Sequence, residues 1–300
     1  IQEHFLNALA AAKYRNSLLV WRPVLAVLYA LDRGLVTEGQ RIGVVCQNRL
    51  GLSVQKLRIL SARGVLAPER REAASLVSSN FGYEHLVRQA RTTAIGDTGF
   101  TARTAHRAIA RSVGMVALGM QCRPEMLRVQ NGDWEILDLS LFDAAAVTQD
   151  IDVRLDLSGC DLILLETLTE GRLRDRLISS VEEAAPRSVT TLPANAVANG
   201  ALTAAKRAGD GEPIYFDFLP RLSTIVFGSD GARNFDLIHP EETLEAGRTY
   251  RSPEPASLAI PSGQKSISIF LRKEAAPPPR KATVQIGEPL RNLAAVSLWV

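Results

Sequence analysis

The sequence predicts an α/β domain followed by an all-β domain, and two observations support this division. Up to about residue 210, stretches with helical apolar spacing alternate with short β-branched stretches, as in sheets flanked by helices. Beyond residue 213 the helical spacing is lost, and short apolar stretches are separated by Gly and Pro, which is typical of a β-sandwich-like module. The predicted bounds are 1–208 for the first domain, 209–220 for a linker and 221–300 for the second domain.

The elements of the first domain follow from local patterns. An amphipathic helix is predicted over 2–13 and a short strand over 17–21, after which Pro23 opens a helix that ends at Gly34. Pro68 is expected to break the chain. The other predicted elements are strands over 41–47, 52–60, 160–168 and 188–192, a strand within 132–141, a partly helical segment over 141–157, and helices over 83–92, 100–120, 171–185 and 194–209.

Composition excludes several classes of protein. The chain is 46% hydrophobic and 22% charged, and its net charge of +3 is spread without a basic block, so no nucleic-acid partner is expected. The most apolar stretch, 17–31, is too short to span a bilayer, so no membrane association is expected. Cys46, Cys122 and Cys160 are far apart, which argues against a disulfide framework and favours a cytoplasmic location. The histidines lie singly, so no metal site is predicted.

Five quoted stretches, in this order along the chain, carry a resemblance to a known family. They are "LVWRPVLAVLYALDRG" (19–34), "RIGVVCQNRLGLSVQKLRI" (41–59), "CDLILLETLTEGRLRDRLISSV" (160–181), "LPANAVANGALTAAKRAGDG" (192–211) and "FDFLPRLSTIVFG" (216–228). The order resembles the DnaK-type 70-kDa heat-shock chaperones, in which an actin-like ATPase domain precedes a peptide-binding β-sandwich. The resemblance implies an actin-like (ribonuclease H-like) second lobe, a linker and the start of the sandwich. The family's first lobe has no counterpart in these residues.

The resemblance places a phosphate-binding hairpin at "VVCQNRLGLSVQ" (44–55). Such a hairpin needs glycines, because backbone N–H groups must approach the phosphate oxygens, and a nearby carboxylate to organise Mg²⁺. Cys46 stands where the family has the acid, and Asn48, Arg49 and Leu50 stand among its glycines, of which Gly51 remains. The altered residues favour a structural hairpin, with a modified anion site or a working ATPase as open alternatives.

The family's adenosine-binding turn is altered in the same way. Glu166 and Thr167 stand where two glycines would admit the nucleoside. Any nucleotide contacts that survive are therefore assigned to a short set of residues, and no catalytic residue is assigned. The set is Asn48, Arg49, Gly51, Thr167, Thr169, Gly171 and Arg172.

These patterns predict a degenerate heat-shock-chaperone-like protein that binds a protein or peptide client without hydrolysing ATP, and no cofactor is expected. The resemblance implies that the turns near 229–234 and 252–264 form the peptide groove. Two alternatives remain open. The first is an ATP- and Mg²⁺-binding chaperone ATPase, completed by an N-terminal lobe outside these residues. The second is an actin-like structural subunit.

Overall fold

The computed structural model forms two compact units. Unit 1 comprises Ile1–Pro68 and Ala74–Glu212, and unit 2 comprises Glu69–Ala73 and Pro213–Val300. The residues described are 2–14, 17–95, 102–129, 131–149, 151, 155–228, 231–239, 241–272, 280–288 and 291–300. The assignment of the units to a nucleotide-binding lobe and a substrate-binding module stays a prediction.

Among the described residues, unit 1 contains both helices and strands, whereas unit 2 contains strands. The helices are α1 Gln2–Ala11, α2 Arg22–Asp32, α3 Tyr83–Ile95, α4 Ala102–Ala117, α5 Gly171–Ala184 and α6 Ala196–Asp210. The strands are β1 Arg41–Gln47, β2 Leu52–Ala62, β3 Val65–Arg70, β4 Ser75–Ser78, β5 Glu125–Arg128, β6 Trp134–Leu137, β7 Leu162–Glu166, β8 Val189–Thr191, β9 Phe216–Phe218, β10 Arg221–Gly228, β11 Gly231–Asp236, β12 Thr243–Glu245, β13 Ala256–Ile260, β14 Ser266–Arg272, β15 Arg280–Gln285 and β16 Ala294–Leu298.

Unit 1 has a mixed sheet with the strand order β3-β2-β1-β7-β8, and β4 also pairs with β2. β1 and β2 form the predicted antiparallel hairpin, whereas β1, β7 and β8 run parallel. The register sets Cys46 opposite Glu166, at the carboxyl ends of β1 and β7. In sheets with parallel strands this edge is where ligands usually bind.

Strand periodicity assigns the two faces of this sheet to different helices. Val45 and Leu165 belong to a buried core formed with side chains of α3, α4 and α5, among them Leu86, Ile109 and Leu177. Their neighbours along the strands point to the opposite face, where α2 packs against β1 and α6. The carboxyl ends of β1 and β7 therefore lie between helices on both faces.

Small residues of α6 allow it to approach α2 closely. Ala196, Gly200 and Ala204 are buried at intervals of one helical turn. A Cβ at Gly200 would lie 1.9 Å from the carbonyl oxygen of Leu25 in α2. Position 200 therefore requires a glycine, because the backbone of α2 leaves no room for a side chain there.

Three local predictions for unit 1 are wrong. Residues 17–21 are not a strand, because no neighbouring strand pairs with them before α2 begins. The described part of 141–157 contains turns and no helix. Pro68 does not break the chain but lies inside β3. Three short strands were not predicted from the sequence: β3 and β4, which both neighbour β2 in the sheet, and β5, which pairs with β6.

Unit 2 contains antiparallel sheets, and the described residues beyond 213 form no helix. The largest sheet has the order β11-β10-β14-β15, and β13 pairs with β16. The short strands predicted from the sequence are thus present, but their arrangement as a sandwich is not confirmed. Residues 229–230 of one predicted peptide-binding turn lie outside the described residues.

Residues 69–73 belong to unit 2 because of specific contacts within that unit. Glu69 pairs with Phe216 in parallel. Arg70 is almost fully buried and donates to both carboxylate oxygens of Asp217 at 3.1 Å, and its guanidinium lies 5.0 Å from the centre of the Phe218 ring. Both hydrogen bonds come from Nη1 of Arg70, and charge-assisted hydrogen bonds are stronger than neutral ones, so this contact helps to hold the segment in place.

Candidate functional site

The candidate site is a cavity of about 450 Å³ at the carboxyl ends of β1 and β7. Its lining combines the end of the hairpin, the start of α3, the end of α4 and the segment after β7. The lining residues are Arg22, Gln47, Asn48, Arg49, Tyr83, Leu86, Gly114, Ala117, Leu118, Leu168 and Thr169. Three of the residues predicted from the sequence, Asn48, Arg49 and Thr169, therefore share one cavity.

In the hairpin turn, a side chain of the turn itself accepts hydrogen bonds from the backbone N–H groups. The Asn48 side-chain oxygen Oδ1 accepts the N–H of Leu50 at 2.8 Å and the N–H of Gly51 at 3.2 Å. The Asn48 N–H donates to the carbonyl oxygen of Gly51 at 2.8 Å. A phosphate cradle depends on free N–H groups that point at the anion. These N–H groups are already satisfied within the turn.

Gly51 is needed for packing of the turn. Its φ of +154° is rarely adopted by residues with a side chain, and a Cβ here would lie 1.8 Å from the carbonyl oxygen of Ser78. The turn is also joined to the start of α3, where the N–H of Glu84 donates to the carbonyl oxygen of Arg49 at 2.9 Å. The single glycine of the hairpin therefore has a structural explanation.

Arg49 lies at the surface, beside the first turn of α3. Its guanidinium is 3.2 Å from the Glu84 carboxylate, and its side chain is 73% exposed. An ion pair this exposed contributes little to stability. Replacing Glu84 by another anion as the partner of Arg49 would therefore cost little stability.

A buried ion pair lies between α2 and β7. The Arg22 Nη2 atom is 2.6 Å from Oε1 of Glu166, whose side chain is almost fully buried, and Nη1 donates to the carbonyl oxygen of Gln47. The second Glu166 oxygen, Oε2, is buried without a nitrogen or oxygen partner. Burial, and then the charge of Glu166, raise the pKa of the Cys46 thiol far above its usual range, so the thiol stays protonated beside the carboxylate.

A network of neutral side chains connects β1 to the segment after β7. The Thr167 hydroxyl donates to Oε1 of Gln47 and accepts the N–H of Thr169 at 3.0 Å. The Gln47 amide nitrogen Nε2 donates to the carbonyl oxygen of Phe81 at 2.9 Å. All of these side chains are buried, and buried polar groups are stable when they are satisfied in this way. Thr167 thus has a structural role in the cavity wall.

The last two predicted site residues lie in a different cavity. Gly171 and Arg172, at the start of α5, line a cavity of about 620 Å³ together with residues of the 140–145 segment. The Arg172 guanidinium is 2.5 Å from the Asp143 carboxylate. The structure therefore separates these residues from the hairpin and does not bring the predicted set into a single site.

The hairpin does not fit a magnesium–nucleotide phosphate group. The backbone N–H groups of its turn already donate to the Asn48 side chain. The carboxylate of Glu166, which lies opposite Cys46 in the sheet, is paired with Arg22. Within the described ranges, no three or more His, Cys, Asp or Glu side chains are grouped to hold a metal ion.

None of the described helices is both long and apolar enough to span a membrane.

Comparisons with known proteins give a distant structural likeness. No family model matches the chain, and no curated protein matches it. Among solved structures it is similar to the archaeal actin homolog Ta0583, in its native form (TM-score 0.36, 19% identity, covering 61% of this chain and 54% of that chain). The selenomethionine form of Ta0583 gives a TM-score of 0.35 and 17% identity, covering 62% and 54%.

The match spans about half the length of the actin homolog. Its overlap and identity are too low to carry a conclusion about function. The comparisons give no support to the heat-shock-chaperone resemblance, which stays a prediction.

Sequence reasoning missed several lining residues of the main cavity. Arg22 was not among the predicted site residues, and its pairing with Glu166 could be recognised only once β7 lay beside α2. Tyr83 and Leu118 carried no local signal, since each is an ordinary residue at one end of a helix. Gln47 could have been identified from the sequence, because it is a polar residue that directly follows the apolar residues of a buried strand.

Replacing Asn48 with alanine should lower the free energy of unfolding by about 1 kcal/mol, because two backbone N–H groups lose their acceptor. Hydrogen exchange at the amides of Leu50 and Gly51 should become faster. Urea denaturation and exchange measured by NMR would check both effects. The matched control is Asn292→Ala, at an exposed position in unit 2. Unchanged exchange at both amides would contradict the role assigned to Asn48.

Proposed function

We propose that the chain binds extended apolar segments of other proteins through unit 2, without hydrolysing ATP. The observation that carries the proposal is a cavity of about 540 Å³ within unit 2, formed by β10, β11, β13 and β14. The free thiols of the described cysteines support a cytoplasmic location for this activity.

The cavity has the properties of a site for apolar side chains. Two apolar residues of β10 remain open to solvent, with Ile225 46% and Phe227 84% exposed. Leu258, Ile260 and Phe235 contribute further apolar surface to the lining. Exposed, contiguous apolar surface of this kind often marks a protein-interaction site. An apolar segment that fills the cavity would remove these side chains from water.

The backbone around the cavity favours an extended occupant. β13 pairs with β16 on one side, and no described strand pairs with its other side. β10, in contrast, is paired on both sides by β11 and β14. A peptide can add to an unpaired strand edge through backbone hydrogen bonds while alternate side chains enter a pocket. The edge of β13 beside an apolar cavity offers both kinds of contact.

Arg233 adds a preference for acidic flanking residues. It is exposed and is the one arginine or lysine among the described residues that line the cavity. A peptide with an acidic residue next to its apolar core would pair with this guanidinium. Such rim charges change association rate and specificity more than affinity.

The absence of ATP hydrolysis is proposed from the hairpin in unit 1. The Asn48 side chain occupies the donors that a phosphate would need. Peptide affinity should therefore be the same with and without Mg-ATP. Phosphate release from Mg-ATP should stay at the buffer rate, and micromolar nucleotide binding coupled to turnover would contradict the proposal.

The peptide-binding proposal can be tested on the full chain with a panel of labelled heptapeptides, by fluorescence anisotropy. Peptides with an apolar core should bind more tightly than all-polar peptides. Phe227→Asp should weaken binding at least tenfold, because a charge would replace the most exposed apolar side chain of the cavity lining. Leu293→Asp is the control, since Leu293 is also exposed in unit 2 but does not line the cavity.

Equal losses in both variants, or equal affinity for apolar and polar peptides, would overturn the proposal. The same samples should be examined by sedimentation with and without nucleotide. Nucleotide-dependent filaments would instead favour the alternative of an actin-like structural subunit.

A further inference from the structure

We propose that unit 1 contains a separate binding site for a small amphiphilic anion, that is, a molecule with one anionic head and an apolar body. The site consists of two adjoining cavities beside the first turns of α3. One is the largely apolar cavity of about 450 Å³ at the hairpin, and the other is a basic cavity of about 380 Å³. The inference does not depend on peptide binding by unit 2.

The first cavity provides an apolar compartment that is open at one side. Leu86 and Ala117 are buried in its wall. Leu118 and Leu168 form part of the lining but are 48% and 49% exposed. Small-molecule sites typically have 300–1,000 Å³ of volume and mostly apolar walls. An alkyl or aromatic body here would bury leucine surface that is now in contact with water.

The second cavity provides a positively charged compartment. Arg49, Arg88 and Arg91 line it together with His106, and Val87 and Ala110 form apolar parts of its wall. Its single carboxylate, Glu84, lies 3.2 Å from Arg49. Arg88 and Arg91 are both exposed and lie one turn apart on α3, so they point to the same side of the helix.

Arg88 and Arg91 therefore present two guanidinium groups for which no carboxylate partner is found in the described part of the chain. Guanidinium groups bind carboxylate and phosphate oxygens through paired hydrogen bonds. Arg49 would add a third donor group when an incoming anion replaces Glu84. The compartment thus has the charge and the donors to hold an anionic head.

The two compartments adjoin each other, so that one ligand can occupy both. Arg49 and Tyr83 line both cavities. The Tyr83 hydroxyl donates to the carbonyl oxygen of Ala110 and so joins α3 to α4. Burial raises the pKa of Tyr83, so this hydroxyl keeps its proton at neutral pH. The Arg49 side chain is 73% exposed, so a ligand lying across it can place its head among the arginines and its body among the leucines.

Other ligand classes use only part of this site. A small inorganic anion would pair with the arginines but leave Leu118 and Leu168 in water. A neutral apolar molecule would fill the first cavity but leave the arginines without a counter-charge. A nucleotide bound through the hairpin would need the N–H groups that Asn48 occupies. The amphiphilic anion is the class that matches both compartments.

The test compares octanoate, 1-octanol and acetate, which separate the contribution of the tail from that of the head. Titration calorimetry on the full chain should give the tightest binding for octanoate. We expect roughly tenfold weaker binding for 1-octanol and no measurable binding for acetate, since neither satisfies both compartments. Binding of acetate as tight as that of octanoate, or no binding of octanoate, would overturn the proposal.

Variants locate the site. The double change Arg88→Ala/Arg91→Ala should weaken octanoate binding roughly tenfold and leave 1-octanol unchanged, whereas Leu118→Asp should weaken both. Arg107→Ala is the matched control, because Arg107 is an exposed arginine of α4 that lines neither cavity. Octanoate binding that is insensitive to these changes but lost in Phe227→Asp would place the ligand in unit 2 and overturn the inference. Peptide binding by unit 2 is measured separately, so either proposal can fail alone.

Discussion

Replacing Gly200 with alanine is expected to lower the free energy of unfolding by about 3 kcal/mol. The added Cβ would lie 1.9 Å from the carbonyl oxygen of Leu25, much closer than carbon and oxygen can approach. Because this neighbour is backbone and not a flexible side chain, α2 and α6 must separate. Overpacking of a well-packed interface typically costs 1–3 kcal/mol and occasionally more. Urea denaturation followed by circular dichroism would measure the change.

Gly209→Ala is a matched control in the same helix. A Cβ at Gly209 has no neighbouring heavy atom within 4 Å, so the change is expected to stabilise the protein by roughly 0.5–1 kcal/mol through helix propensity. The two substitutions are chemically identical and should have opposite signs. A Gly200→Ala variant as stable as the native protein would show that α2 and α6 are not in backbone contact.

Replacing Arg22 with alanine is expected to have a comparable effect, with a loss of about 3 kcal/mol in the free energy of unfolding. The change leaves the buried Glu166 carboxylate without the guanidinium that is 2.6 Å from it. Removing one partner of a buried ion pair costs 3–5 kcal/mol because the other charge is left uncompensated. The lower end of that range applies here, since the Arg22 side chain is 34% exposed.

The double variant Arg22→Ala/Glu166→Gln should recover most of the lost stability, because it removes the uncompensated charge as well as its partner. Arg33→Ala, at the exposed C-terminal end of α2, is a control for the loss of an arginine and should change stability by less than about 1 kcal/mol. A double variant no more stable than Arg22→Ala would show that the arginine acts through packing and not through charge.

Arg22 and Glu166 also show how far the sequence could predict the site. Glu166 was recognised from the sequence as a departure from a nucleotide-binding pattern, whereas Arg22 was not among the predicted site residues. Their separation by 144 positions carries no local signal that they neutralise each other. The pairing depends on the parallel register of β1 and β7 and on the start of α2 above them. The presence of Arg22 and Glu166 is therefore explained only by the ion pair that they form in the folded protein.

The hairpin shows the opposite case, in which local sequence was sufficient. The apolar strand at 41–47, the turn at 48–51 and the returning strand from 52 are all present, and Asn48 and Gly51 of the turn belong to types that favour turns. What the sequence did not reveal is the use of the Asn48 side chain to occupy the turn's N–H groups. That use depends on a rotamer and on backbone angles, which residue types alone do not specify.

The sequence by itself determined the division into an α/β part and a β part, most of the long helices, and the strands β1, β2, β7 and β8 of the buried sheet. These features follow from periodicity and from Pro and Gly positions, which act over a few neighbouring residues. Only the tertiary structure decided that residues 69–73 join unit 2 and that Gly171 lies apart from Asn48. It also brought the arginines of α3 beside the apolar cavity, because such contacts arise when segments far apart in sequence pack together.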